Sequence, residues 1–484
     1  MGNPWATIEF AVENVPDHAT ILVAAGLYSG RIRLDEHFVN GIAIQSDPPY
    51  LALLRHTSTV LTCFDGSGIT LEGFDIAHTS SGAGPLVMQV QGANTERLII
   101  RNNIFHDSYN NDLLKINNGC RDVLVEGNVF YNQSGSDEHI DINGVVNVEV
   151  RDNIFFNDFV GSGRVNNNNT SSYIVIKNSG GLPQNEQFHV HRNIFLNWEG
   201  SSGSNFLLFG EDGHGFYEAR DALVENNLFI GNSSNNMRAC FGVKGCREIT
   251  FRNNTVVGDL PSLAFAMRLN REGSNLINEE IYFYNNIWSD PTGTMGAEFG
   301  TSNNDFSDTP PADTNTFAID NNLYWNNGSA IPFQAGELVN YTDDSNRIEG
   351  NPMLPIHAGI VLPRWDPLAM QFLSGNLSIR SEFERLAQLA AIAAGSFAID
   401  VANPTQSPVD DILGENRGPS PDIGAFESNP CMLIGDLDSD SDVDFDDLLL
   451  LLPNWRQSTY DLDGDGTVTI LDGALLIQSF GSCP

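Results

Sequence analysis

Lysine is scarce in this chain, and its positions stand out: Lys115, Lys177 and Lys244 are the lysines among 24 Lys and Arg residues. Two of them fall near acidic clusters. The segments Asn111-Asp112-Leu113-Leu114-Lys115-Ile116-Asn117, Asp137-Glu138-His139-Ile140-Asp141-Ile142-Asn143 and Ser172-Tyr173-Ile174-Val175-Ile176-Lys177 each carry two aliphatic residues two places apart. If the pairs Leu114/Ile140/Ile174 and Ile116/Ile142/Ile176 face a core, the residues between them face solvent. Lys115 then stacks on Asp141, Leu113 on His139 and Tyr173, and Asn117 on Asn143 and Lys177. Four carboxylates, Asp112, Asp137, Glu138 and Asp141, crowd two adjacent segments. A divalent cation would relieve their repulsion, and calcium suits oxygen ligands on an open face. A lysine beside that ion, Lys177 or alternatively Lys115, would have its pKa lowered enough to act as a base. His139 or Tyr173 would supply a proton. The plainer reading is a solvated acidic turn with stacked ion pairs.

Such stacking requires a repeat, and the chain has one. Tetrads at Asn103 (NNIF), Asn128 (GNVF), Asn153 (DNIF), Asn193 (RNIF), Asn227 (NNLF), Asn254 (NNTV), Asn286 (NNIW) and Asn322 (NNLY) recur, each after a short β-branched stretch. The shortest repeats cannot bury an apolar face alone, but stacked coils can. Asparagine tolerates a left-handed corner and its amide can bond to the next coil. The aromatic two places on (Phe105, Phe130, Phe155, Phe195, Phe229, Trp288) would point inward and stack. The fold class is therefore all-β, a right-handed parallel β-helix (solenoid), carrying a small α-helical calcium-binding module. Residues 1–428 form the β-helix domain and 429–484 the module. Thr7 to Val12 reads as a capping helix, Ser381 to Ala394 as a helix capping the far end, and Pro421 to Glu427 as a closing strand.

In the tail, Asp436, Asp438, Asp440, Asp444 and Asp447 occupy positions 1, 3, 5, 9 and 12 of a twelve-residue loop. Asp461, Asp463, Asp465 and Asp472 repeat positions 1, 3, 5 and 12, with Gly466 at the sharp turn. Alternate carboxylates converge on one ion, and position 12 closes the cage. Helices at Leu448 to Leu452 and Leu475 to Phe480 follow the loops. Aspartate at position 12 and the close spacing of the loops resemble a type I dockerin. That resemblance implies a calcium module that anchors the chain to a cohesin-like or cell-surface partner.

The first cluster resembles polysaccharide lyase family 9, the calcium-dependent pectate lyases. That family has an Asp on one coil, Asp-Asp-x-x-Asp on the next and a lysine base on a following one. The counterparts are Asp112, Asp137-Glu138-x-x-Asp141 and Lys177. Glu138 stands where the family has Asp, and His139 where it favours Gly, so the substrate need not be pectate. The resemblance implies Ca2+-assisted β-elimination on a uronate polymer. Arg238 and Arg268, on outward positions of later coils, and Asn143 would bind the acidic polysaccharide, the arginines bidentately, or else serve as ladder salt bridges. Glu211 and Asp212 are expected on a loop overhanging the groove and receive no role. Lys244 sits in a turn and reads as structural.

The net charge of −38 and pI near 4.3 exclude a general attraction to nucleic acid or anionic membranes. No apolar run is long enough for a membrane span. The expected setting is secreted or cell-surface, as a monomer, with a signal peptide already removed. Cys431 and Cys483 bracket the module and either pair, implying an oxidising compartment, or stay free. Two other functions fit the same coils. A glycoside hydrolase would use paired carboxylates such as Asp137-Glu138, and a non-catalytic carbohydrate-binding or cell-surface protein would use the face alone.

Overall fold

The computed structural model describes residues 5–79, 83–183, 185–297, 305–428, 435, 437, 442–462 and 466–482. The chain divides into two compact units, Met1–Glu427 and Ser428–Pro484.

The first unit is a parallel β-helix, mostly β with long parallel sheets, consistent with the right-handed form. A coil of the regular region contributes three short strands, each pairing in parallel with its equivalent one coil away. One ladder runs through ten strands, from Ile32–Arg33 to Asp305–Asp308. The other two are joined as one sheet because the long strand His37–His56 bends across both, pairing with Ser67–Glu72 and then Asp75–His78. The interior is apolar from end to end. In it Phe105, Phe130, Phe155, Phe195 and Phe229 stack face to face at 4.5–5.1 Å between centroids. Val256 interrupts the stack, so Trp288 packs against Phe241 and Phe306 instead.

The corner before the third ladder fixes the register. Asn103, Asn128, Asn153, Asn193, Asn227, Asn254, Asn286 and Asn322 are all fully buried. The backbone N–H and the side-chain amide of each donate to the Oδ1 of the next asparagine, as Asn128 does to Asn153 at 2.8 and 3.0 Å. The amide also donates to a carbonyl of the preceding coil, such as Ile100 from Asn128. The row closes on Asp344, whose carboxylate accepts from Asn322 twice, at 2.9 Å. The left-handed residue expected here is not the ladder asparagine but the one before it: Asn102, Gly127, Asp152, Arg192, Asn226, Asn253, Asn285 and Asn321 have φ between 48° and 63°. The ladder asparagine keeps ordinary backbone and spends its side chain on its neighbours.

The N-terminal helix runs Ile8–Asn14, capped by Thr7, whose hydroxyl accepts from the Phe10 N–H. The later helix departs from expectation. It spans Ile379–Ala387 with Ser378 as N-cap, followed by a 3-10 turn at Gln388–Ala390. It lies on the flank of the coils, not over their end: Ile379, Phe383 and Leu386 pack with Ile104, Val129, Ile154 and Ile194, the outward residues of the third ladder. Pro421 to Glu427 is not a strand. It crosses the coils as irregular chain, with the Gly424 N–H donating to Asn285 and the Ala425 N–H to Thr255 Oγ1.

The second unit has helices Phe445–Leu451 and Ile470–Gln478, both starting earlier than predicted, around a core of Val443, Leu451, Val468 and Leu476. Asp447 and Asp472 are buried and equivalent. Asp447 accepts from the N–H groups of Leu437 and Asp444, and Asp472 from those of Leu462 and Thr469. Gly466 is left-handed, with its N–H on Asp461. Asp436, Asp438, Asp440, Asp463 and Asp465, with Cys431 and Cys483, lie outside the described residues.

Asn153→Ala leaves the N–H and amide of Asn128 without their acceptor. It should cost about 3–5 kcal/mol in a denaturant titration, against about 0.5 kcal/mol or less for the exposed Asn167→Ala.

Candidate functional site

Three neighbouring strands of the ten-strand ladder build the site: β1 (Leu114–Asn117), β2 (Glu138–Asn143) and β3 (Ser172–Lys177). Their register pairs Lys115 with Asp141, Ile140 with Ile174, and Asn117 with Asn143 and Lys177, as the alternation requires. Just before each run the alternation breaks. Leu113 and Leu114, His139 and Ile140, and Tyr173 and Ile174 are buried as consecutive pairs, so the chain reads out, in, in, out from Asp112 to Lys115 and from Glu138 to Asp141. The bend brings Asp112, Glu138 and Asp141 together, each offering an oxygen within 4.8 Å of the others.

The same bend corrects two assignments. His139 and Tyr173 do not face solvent. Both are fully buried, with rings stacked at 4.4 Å. The Tyr173 hydroxyl donates to the carbonyl of Leu196 or Asn197, and His139 Nε2 bonds to Asn157. Burial depresses the His139 pKa to about 3 and raises that of Tyr173. Neither can serve as a proton donor at the groove; they fill the core behind it.

The carboxylates are buried far more deeply than a solvated turn would be: Asp112, Glu138 and Asp141 are 0, 2 and 1% exposed. Burial, reinforced by the Asp141 charge, raises the Asp112 pKa to about 7. Burial also lifts Asp137 to about 6, and burial with the neighbouring Asp112 and Glu211 charges drives Glu138 well up. Two cations answer five acidic groups. Lys115 Nζ bonds Asp141 and lies 3.5 Å from Asp112, while Lys177 Nζ bonds Glu211 and lies 3.7 Å from Asp141. These carboxylates hold the Lys177 ammonium above its ordinary value even though burial works the other way. The expected lowering is thus reversed: burial favours it, but the acidic ring outweighs burial.

Two buried oxygens, Asp141 Oδ1 and Asp112 Oδ2, accept no hydrogen bond, although the Lys115 ammonium stands 3.5 Å from the second. Orphaned carboxylate oxygens beside acids that burial has made hard to ionise form a donor set that fits a hard divalent cation. Asp112, Glu138 and Asp141 could hold it, with half-buried Asp137 at the rim.

Glu211, given no role from sequence, is the partner of Lys177. It follows Gly210, where φ is 80° and a Cβ would meet the Lys244 carbonyl oxygen at 1.9 Å. That forced turn carries Glu211 over Lys177 and Asp212 onto Ser179, which in turn bonds Asn143. The signal was the Gly-Glu-Asp sequence after a strand. Arg238 and Arg268 lie two and three coils beyond Lys177, about 10 and 14 Å along the same ladder, and both reach Asp308. Lys244 pairs with Glu272.

No protein-family model matches the chain, and no curated protein sequence is similar to it. Among solved structures, pectate lyase Pel9A is similar, with 15% identity and a TM-score of 0.52 over 87% of this chain and 91% of that one. The likeness is one of fold. XylC in complex with xylose has 12% identity and a TM-score of 0.48, over 88% of this chain and 95% of that one. An alginate lyase from Paenibacillus sp. str. FPU-7 has 16% identity and a TM-score of 0.44, over 58% and 92%.

The raised Asp112 pKa has a measurable consequence. Its folded form holds a proton that the unfolded chain releases near the ordinary carboxylate value, so this group lowers stability as pH climbs from about 4 to about 7. In chelator, Asp112→Asn should therefore be more stable than the parent at pH 8, with the difference vanishing at pH 4. Thermal melts across that range check it.

Proposed function

We propose that the β-helix unit cleaves a uronate-containing polysaccharide by calcium-assisted β-elimination. The observation that carries this reading is the meeting of Asp112, Glu138 and Asp141, two of them with orphaned buried oxygens, beside the Lys177 amine. Asp112, Glu138 and Asp141 would hold the calcium. Calcium bound there would neutralise the uronate carboxylate and make the proton at C5 more acidic. Lys177, whose Nζ lies 3.7 Å from Asp141, takes that proton, with Lys115 the alternative base. The C5–H pair forms a C4=C5 double bond as the C4–O bond breaks, and the departing oxygen takes a proton from solvent. Lys177 must leave Glu211 and lose its own extra proton to solvent before the amine can act, and calcium on the neighbouring carboxylates would favour that loss by offsetting the charges that hold the proton. Arg238 and Arg268, anchored on Asp308, bind uronate groups further along the polymer, and Asn143 contacts it beside Lys177. The fold shared with pectate lyase Pel9A supports the reading.

Absorbance of the unsaturated product, measured on a panel of uronate polysaccharides, tests this. Activity should need calcium, and Lys177→Ala should lower kcat by about two to four orders of magnitude. New reducing ends without ultraviolet absorbance would replace elimination with hydrolysis, and no cleavage of any uronate polymer would leave a binding protein.

We further propose that the second unit is a dockerin-like calcium module that docks a secreted or surface-bound monomer on a cohesin-like partner. The matching roles of Asp447 and Asp472 support two equivalent loops. Among the described residues, no helix is long and apolar enough to cross a membrane. Calorimetric titration of the whole chain should find about three calcium ions. Asp472→Asn and Asp141→Asn should each remove one, and the double variant two.

A further inference from the structure

A second cluster lies outside the groove, on the outer face of the neighbouring ladder. Strands β4 (Val146–Arg151), β5 (Glu186–His191) and β6 (Arg220–Glu225) stack there in register, with Glu149 opposite His189 and His191 opposite Glu225. His189 and His191 are two places apart on one strand, so their rings leave the same face and lie parallel at 3.7 Å. We propose that Glu149, His189 and His191 form a binding site for a divalent transition metal, with zinc the best fit.

The geometry supports it in three ways. One atom from each of the three side chains lies within 4.8 Å of the others, a separation that modest side-chain rotation closes to a tetrahedral ion. Two imidazoles and one carboxylate form a mixed nitrogen and oxygen set, which suits zinc and its neighbours rather than calcium. His189 Nε2 is also held by Glu225 at 2.8 Å, the kind of support that orients metal-binding histidines, and the 2.9 Å contact of His191 Nε2 with Glu149 already brings two of the ligands together. Arg151 beside Glu149 and Arg252 on Glu225 offset part of the acidic charge. They leave His189 and Glu149 about one-third exposed, and an ion can enter from that side. Three protein ligands leave a fourth position for water, and a bound ion would tie two adjacent coils together.

Competition with a chromophoric chelator, on the whole chain with calcium in excess to fill the carboxylate sites, tests the proposal with zinc itself. One equivalent should bind with a Kd of about micromolar or tighter. Glu149→Gln and His189→Gln should each weaken it at least about tenfold, and Glu225→Gln by about 10–100-fold, while Asp141→Asn leaves it unchanged. Because Glu149 and His189 are partly exposed, these variants test the site even where the buried His191→Gln fails to fold. Zinc held equally by Glu149→Gln and His189→Gln, or no zinc held by the parent chain, would overturn the assignment.

Discussion

A carbonyl-sized oxygen on each buried asparagine meets two N–H groups of the coil before it, and every other distance in the β-helix unit follows from that contact. The pairing leaves no freedom for a coil to slip, because a slipped coil would bury several unpaired amides, each at about 1–3 kcal/mol. Apolar packing alone would not give this precision. The stacked phenylalanines would tolerate a shift by one coil, since the neighbour offers the same ring. Side-chain hydrogen bonds supply the register, and hydrophobic burial supplies the driving force.

With register fixed, loops of unequal length can be inserted between coils without moving the groove. The intervals between ladder asparagines vary from 25 residues, between Asn128 and Asn153, to 40, between Asn153 and Asn193. Residues far apart in sequence still meet at constant spacing, as Asp112, Asp141 and Lys177 do. The groove concentrates like charge where water is scarce, an arrangement that folding alone would disfavour. Lys115 and Lys177 compensate it only in part.

Much of this was legible in the sequence. The coil period, the inward phenylalanines and the facing of Lys115, Asp141 and Lys177 follow from period-two alternation, which holds from Ile140 to Asn143. It fails one residue earlier, and His139 and Tyr173 were misplaced because a bend turns two successive side chains inward. The signal was present, since Leu113-Leu114 is a buried apolar pair in the same frame. The Gly-Glu-Asp run places Glu211 on a loop over the groove, but its role stays hidden because local sequence does not show which groove residue the loop reaches. The flanking helix was recognised as a helix but misplaced: amphipathicity reveals that a face is buried, not against which surface. The Glu149, His189 and His191 cluster depends on a 40-residue register that only the asparagine ladder makes visible.

Asp344 ends the asparagine row, and the substitution of one oxygen for one nitrogen gives that row a terminus. An amide both receives and gives, so it can pass the pattern onward; a carboxylate only receives. Its two oxygens take N–H groups from Asn321 and Asn322, and nothing remains to offer a further turn. The asparagine row thus terminates in a single side chain, and the parallel pairing itself stops one short strand later, at Ile348–Glu349.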